Sequence, residues 1–112
     1  MAGADLFLMP SLYEPCGLTQ MRAQRYGAPP IVRDVGGLAD TVQDEKTGFS
    51  FAPYTPEAFQ AATFRALDRF RHPAKWQSIV RQGMASDYSW ERSVATYIDV
   101  YRRALAHSAG AR

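Results

Sequence analysis

The apolar residues of this chain fall first into two short runs, at residues 6–9 and 30–32. Neither run alternates with polar residues, which is typical of strands buried on both faces of a parallel sheet. The sequence between them predicts a helix that starts near Gly17 and stops at Gly27, because glycine commonly ends helices. We therefore expect a strand–helix–strand unit, whose crossover is normally right-handed.

A second change from strand to helix follows at residues 35–38, where Gly36 and Gly37 stand side by side. The glycine pair predicts a close backbone approach or a positive φ angle, although a mere tight turn has the same signature. A short helix is expected over residues 38–42, followed by a polar turn over residues 44–48. Phe49–Phe51 predicts a third, short strand.

After Pro53 the pattern becomes helical. Thr55 and Pro56 predict the start of a helix, as its N-cap and its first helical residue. The expected inward face of this helix consists of Phe59, Ala62, Ala66, Leu67 and Phe70. A second helix is expected from about Pro73, with an inward face of Trp76, Ile79, Val80 and Met84.

The last predicted helix is capped by Ser89 and carries a long apolar stripe at helical spacing. The stripe consists of Trp90, Val94, Tyr97, Ile98, Tyr101 and Leu105. Exposed aromatic rings could stack on carbohydrate, but this spacing favours a helix face buried in a core. We therefore expect most of the stripe to be buried, with some of it exposed or shared with another copy.

Composition and charge narrow the function classes. Hydrophobic residues make up 46% of the 112 residues, and the formal net charge is +2. So small a charge does not favour a nucleic-acid partner, and Arg102, Arg103 and Arg112 are interpreted as the solvated end of a helix. No apolar run is long enough for a membrane span, and no secretory signal is recognised. A single cysteine agrees with a cytoplasmic protein.

The chemistry is concentrated in residues 10–20, Pro-Ser-Leu-Tyr-Glu-Pro-Cys-Gly-Leu-Thr-Gln, which lead from the first strand into the first helix. The first N–H groups of a helix lack intrahelical partners and attract phosphate, whereas the Glu14 carboxylate suits sugar hydroxyls. Together they predict a site for a nucleotide-linked sugar. Two simpler interpretations stay open: Glu14 as a helix-capping carboxylate, and residues 17–19 as an ordinary first turn.

Cys16 and the histidines do not complete a second chemistry. At the start of a helix Cys16 could be a reactive thiol, but His72 and His107 lie far along the chain, in the helical half. A small packing residue beside the sugar, open to inhibitory alkylation, is the better interpretation of Cys16. The same three residues do not predict a metal site, and no cofactor is expected.

The run Tyr-Glu-Pro-Cys-Gly-Leu-Thr-Gln at residues 13–20 resembles the bacterial glycogen synthase and plant starch synthase family. Arg-Tyr-Gly at residues 25–27, Pro-Ile-Val-Arg at 30–33 and Gly-Gly-Leu-Ala-Asp-Thr-Val at 36–42 extend the resemblance, which covers Ala2 to about Leu105. It implies a GT-B glycosyltransferase that moves glucose, with retention, from ADP-glucose to the non-reducing end of an α-1,4-glucan.

The same resemblance implies the fold and its division. The expected class is α/β: a partial Rossmann-like, three-layer α/β/α arrangement with a short parallel sheet and a helical C-terminal half. Residues 1–112 would be the second half of a GT-B C-terminal domain, which binds the donor nucleotide sugar. Residues 1–54 would form its strand–helix–strand donor-site part, and residues 55–112 its C-terminal helices.

Residue roles also follow from the resemblance. Glu14 is the expected catalytic residue, which receives the hydroxyls of the donor glucose while the bond to phosphate breaks. The expected donor-binding residues are Cys16, Gly17, Leu18, Thr19, Gly36 and Gly37. Residues 17–19 would contact phosphate through backbone N–H groups and the Thr19 hydroxyl. Arg22 stands where many related glycosyltransferases have a second glutamate facing the ribose, so the ribose contact is expected to differ.

Three hypotheses remain for the function. The leading one is the donor-binding half of a glucan synthase. The others are a non-catalytic binding or assembly module, and a GT-B glycosyltransferase with a different donor. The isolated chain is expected to be inactive, because the acceptor side and the diphosphate-neutralising cations of the family are missing. An unpaired sheet edge also predicts self-association, or partial disorder, rather than a well-folded monomer.

Overall fold

A computed structural model describes residues 1–110 of the chain, so Arg112 lies outside the described residues. Three strands and five helices follow one another along the described part. They are β1 (Phe7–Met9), α1 (Thr19–Arg25), β2 (Pro30–Arg33), α2 (Gly36–Thr41), β3 (Phe49–Phe51), α3 (Pro56–Phe70), α4 (Pro73–Ala85) and α5 (Trp90–Gly110). The predicted elements are confirmed, with α1 beginning two residues later, and α2 two residues earlier, than the sequence indicated.

The three strands form one parallel sheet in the order β1-β2-β3. Ile31 and Val32 are adjacent on β2 and belong to different core clusters, since neighbouring strand residues point to opposite faces. One cluster joins the sheet to α3 and α4, and the other joins it to α2. Helices therefore cover both faces, and the predicted three-layer α/β arrangement is confirmed.

The first strand differs from the expectation that it is buried on both faces. Leu8 is 53% exposed, and its neighbours Phe7 and Met9 are only partly buried. The reason is that β1 lies at one side of the sheet, where among the described helices only α1 packs against it substantially, whereas α3 packs against β2 and β3. The apolar run at residues 6–9 therefore forms a strand whose side chains are only partly covered in this chain.

The first long helix, α3, begins as predicted. The Thr55 side chain accepts a hydrogen bond from the Ala58 N–H at 3.2 Å, and Pro56 is the first helical residue. Ala62 and Ala66 are buried against the sheet. Leu67 and Phe70, expected inward, lie at the margin and are exposed, as is Met84 of α4.

An ion-pair cluster ties the turn before β3 to α3. Glu45 adopts a positive φ of 57°, and its carboxylate lies 2.7 Å from Arg69 Nη2 and 3.1 Å from Arg65 Nη1. Arg65 also contacts Asp44 at 2.9 Å. The hydrogen bond from Arg69, helped by the one from Arg65 and opposed by burial, lowers the pKa of Glu45.

The expected burial of the stripe on α5 is wrong for this chain. All six stripe residues are exposed, Trp90 to 76%, although Ser89 precedes the helix and its Oγ accepts from the Arg92 N–H as predicted. Within residues 1–110 no other helix or strand packs extensively against α5. Helical spacing predicted an apolar face correctly, but burial needs a second surface.

Candidate functional site

The two loops singled out by the sequence leave the sheet at the same edge. Residues 10–18 follow β1, and residues 34–35 follow β2. Because the strands are parallel, their carboxyl ends meet at one edge, which is where open α/β sheets bind ligands. The loop that carries Glu14 and the glycine pair therefore lie next to each other, at the carboxyl ends of β1 and β2.

The glycine pair is in direct contact with that loop. The Gly37 N–H donates to the Glu14 carbonyl oxygen at 3.0 Å. A Cβ atom on Gly36, whose φ is +49°, would lie 2.1 Å from the Glu14 carbonyl oxygen, and one on Gly37 would lie 2.2 Å from that of Cys16. Glycine is required here because the two backbones touch. The predicted close approach is confirmed, and a mere tight turn does not account for it.

Glu14 does not act as a helix cap. The residue that caps α1 is Leu18, and no side chain accepts a hydrogen bond at that helix start. Glu14 is half-buried, and within residues 1–110 its carboxylate makes neither a hydrogen bond nor an ion pair. The capping interpretation is therefore wrong, and the carboxylate is available to a ligand at the sheet edge.

The remaining expected donor-binding residues surround this point. Cys16 is an exposed free thiol whose nearest hydrogen-bond acceptor is the carbonyl oxygen of Gly17, at 3.7 Å. Gly17 and Thr19 are half-buried, and Leu18 is exposed. The first N–H groups of α1 have no side-chain cap. The structure thus brings Glu14, residues 16–19 and the glycine pair together at one edge.

Sequence reasoning missed Gln20, which lies beneath the loop. Its side chain is fully buried, and Nε2 lies 3.1 Å from the Cys16 oxygen and 2.9 Å from the Gly17 oxygen. It also donates to Thr41 Oγ1 at 3.0 Å, and the Thr41 hydroxyl donates to the Gly37 oxygen at 2.6 Å. A glutamine on the buried side of a short helix, beside Ala23, was the available signal.

Gln24, one turn further along α1, makes a second buried amide contact. Its Nε2 donates to the Thr41 carbonyl oxygen at 3.1 Å, and to the carbonyl oxygen and the hydroxyl of Thr47, each at 3.3 Å. The hydroxyl of Tyr88, a residue just before α5, lies 2.9 Å from Gln24 Oε1 and 2.7 Å from the Thr41 carbonyl oxygen. The segment before α5 is thereby joined to the layer beneath the site.

Arg22 lines a cleft that adjoins the loop at Leu18, not the place where Glu14 meets the glycine pair. This cleft of about 600 Å³ separates α1 from residues 83–89, and its lining includes Arg22, Arg25 and Leu18 but not Glu14 or the glycine pair. Arg25 reaches across the cleft and donates to the Met84 oxygen at 3.1 Å. Arg22 thus presents a basic side chain near α4 and the segment that follows it, and the expected difference in the ribose contact stays a prediction.

Two absences hold for the part of the chain that the structure describes. No group of three His, Cys, Asp or Glu side chains there could hold a metal ion. None of the helices there combines the length and the apolar character needed to cross a bilayer.

The fold and the loop at its sheet edge are those of a sugar-transfer family. The family model described as "Glycosyl transferases group 1" matches residues 1–82. The chain belongs to this family.

Among curated relatives, a glycogen synthase of Anaeromyxobacter dehalogenans is 60% identical over 106 residues. The match covers 90% of this chain and 22% of the relative. The chain thus spans about a fifth of the relative's length.

Solved structures of sugar-transferring enzymes are also similar to this chain. The catalytic domain of starch synthase IV from Arabidopsis thaliana, bound to ADP and acarbose, is 39% identical with a TM-score of 0.81, over 91% of this chain and 23% of that one. A sucrose-phosphate synthase from Thermosynechococcus elongatus is 32% identical with a TM-score of 0.71, over 93% and 26% respectively. The resemblance to glycogen and starch synthases is confirmed.

Proposed function

We propose that this chain is the donor-binding half of an ADP-glucose-dependent glucan synthase. The enzyme would transfer glucose, with retention, to the non-reducing end of an α-1,4-glucan. In this proposal residues 1–54 supply the donor-site part and residues 55–112 the helices behind it. The cytoplasm is the proposed location, because the exposed thiol of Cys16 suits a reducing compartment.

One observation carries the proposal: the loop with Glu14 is seated on the glycine pair, and within residues 1–110 its carboxylate makes no hydrogen bond or ion pair. A half-buried carboxylate at the carboxyl edge of a parallel sheet suits sugar hydroxyls. The proposed role of Glu14 is to hold the donor glucose as its bond to phosphate breaks. Such a contact accelerates the reaction because it strengthens in the transition state.

The proposed phosphate contacts are the N–H groups of residues 17–19 and the Thr19 hydroxyl, with Cys16, Gly36 and Gly37 shaping the space for the donor. An uncapped helix start supports this assignment, since among the described residues no side chain caps α1 and the first N–H groups of a helix attract anions. The solved starch synthase with bound ADP supports an adenine nucleotide as the donor carrier.

The test is a chimera, in which this segment replaces the matching 106 residues of the Anaeromyxobacter relative. In the chimera Glu14→Ala should lower kcat by about 10²- to 10³-fold or more, the range for losing a group that stabilises developing charge. Cys16→Ser, at an exposed neighbouring position, is the matched control and should be much milder. A near-normal kcat for Glu14→Ala would remove Glu14 from the reaction.

Two further measurements separate the competing hypotheses. Turnover of ADP-glucose against UDP-glucose by the chimera tests the donor, and a preference for UDP-glucose would favour the different-donor alternative, which similarity to a sucrose-phosphate synthase keeps relevant. The isolated chain should transfer no glucose, because it spans only about a fifth of the length of the relative that it matches. A chimera without activity would favour a binding or assembly module.

A further inference from the structure

We propose that Gln20 is a positioning residue, whose buried amide holds the Glu14 loop in place against the glycine turn (residues 35–37, which lead into α2). The inference rests on the proposed function, because it assigns Gln20 a role at that same site. Gln20 itself is fully buried and would touch neither donor nor acceptor.

The amide of Gln20 is shared between the two backbone segments that form the site. Two of its acceptors are carbonyl oxygens of the loop, those of Cys16 and Gly17. The third is Thr41 Oγ1, which in turn donates to the Gly37 oxygen at 2.6 Å. One side chain therefore connects the loop to the glycine turn through a single intermediate hydroxyl.

The orientation of this amide is determined by its acceptors. Turning it over would bring Oε1 against the Cys16 and Gly17 oxygens, which have no proton to offer it. In the observed orientation Oε1 is buried, and no group within residues 1–110 forms a hydrogen bond with it. A native protein rarely leaves a buried oxygen unpaired without a reason, and here the reason is that the nitrogen holds the loop.

Gly17 completes the arrangement. Its φ is +73°, and a Cβ atom there would lie 2.5 Å from Gln20 Oε1 and 2.9 Å from Nε2. The amide is therefore pressed against the bare backbone of the loop. Together with the Gly37–Glu14 hydrogen bond, Gln20 sets the position of both Glu14 and the N–H groups that follow it.

Loss of the amide should therefore be felt in catalysis. A displacement of about 1 Å at a positioning contact costs up to about 10²-fold in rate. The effect should fall on kcat more than on KM, because the Glu14 contact is needed as the bond breaks.

The experiment compares Gln20→Met with Gln24→Met in the chimera. Both residues are buried glutamines on α1, but Gln24 Nε2 donates to the Thr41 carbonyl oxygen and to Thr47, where Gln20 donates to the loop. We expect both variants to lower the thermal midpoint, and Gln20→Met alone to lower kcat, by about 10- to 10²-fold. Thr41→Val should lower kcat in the same direction, and Thr41→Ser, which keeps the hydroxyl, should restore it.

A second readout does not need activity. In the chain itself, amide hydrogen exchange at Gly37 reports its bond to Glu14, and Gln20→Met should accelerate it about ten-fold or more relative to Gln24→Met. Equal exchange and equal kcat in the two variants would overturn the role of Gln20. An inactive chimera, or one insensitive to Glu14→Ala, would instead overturn the proposed function, while Gly37 exchange still decides whether Gln20 holds the loop.

Discussion

Gly37→Ala is the substitution whose effect follows most directly from the contact between the two backbone segments. A Cβ atom at Gly37 would lie 2.2 Å from the Cys16 oxygen and 2.4 Å from Cys16 Cα, whereas ordinary contacts of a Cβ atom begin at 3.4 Å. The loop and the turn must therefore separate by roughly 1 Å, since backbone atoms cannot rotate away as a side chain can.

This separation should cost both stability and rate. Forcing an extra methyl group into packed structure typically costs about 1–3 kcal/mol, and each kcal/mol lowers the melting temperature of a domain of this size by about 4–8 °C. Circular dichroism of the isolated chain should record that decrease. Steady-state kinetics of the Gly37→Ala chimera should give a kcat lower by about 10²-fold, because Glu14 moves with the loop.

Gly48→Ala is the matched control. A Cβ atom there would lie 2.5 Å from the Pro30 oxygen and 2.9 Å from Val42 Cγ1, at the amino ends of β2 and β3, away from the site. It should destabilise the fold comparably and leave kcat per folded molecule within about two-fold. Equal losses of kcat in the two variants, or an unchanged melting temperature for Gly37→Ala, would refute the reasoning.

Four further outcomes are expected. Thr55→Ala should cost about 1 kcal/mol in urea unfolding through loss of the α3 cap, and Thr55→Ser should not. Because the pKa of Glu45 is lowered from 4.5, its contribution to the free energy of unfolding should be present above that pH and lost as the pH falls below it. Urea unfolding at a series of pH values should show this loss, and Glu45→Gln should weaken the dependence of stability on pH. Trp90→Ala, at an exposed position, should change stability by no more than about 0.5 kcal/mol, contrary to the expectation from its stripe. The isolated chain should self-associate through the open edge of β1, and light scattering from a monomer at high concentration would contradict this.

The sequence predicted the elements and the location of the site because both depend on local features. Short apolar runs indicate strands, and Thr55 with Pro56 marks a helix start. Two glycines in a row indicate a close contact between their backbone and another part of the molecule. Each of these signals lies within a few residues of the structure it specifies. The motif at residues 13–20 added the family, which the comparisons confirmed.

What approaches Gly36 and Gly37, by contrast, was decided by the tertiary structure. The Glu14 carbonyl oxygen is distant in sequence and reaches the pair only because β1 and β2 are parallel neighbours. Gln20 was overlooked for the same reason, since a glutamine has no recognisable role until its acceptors are known.

Burial also depended on tertiary contacts. The apolar run of β1 and the helical spacing of α5 correctly identified apolar surfaces, yet Leu8 and the stripe beginning at Trp90 are exposed. The pattern of apolar residues determines which faces of an element are apolar, because backbone geometry fixes the direction of each side chain. Whether the face leaves water depends on a second surface that covers it, and for β1 and α5 the described residues do not supply one.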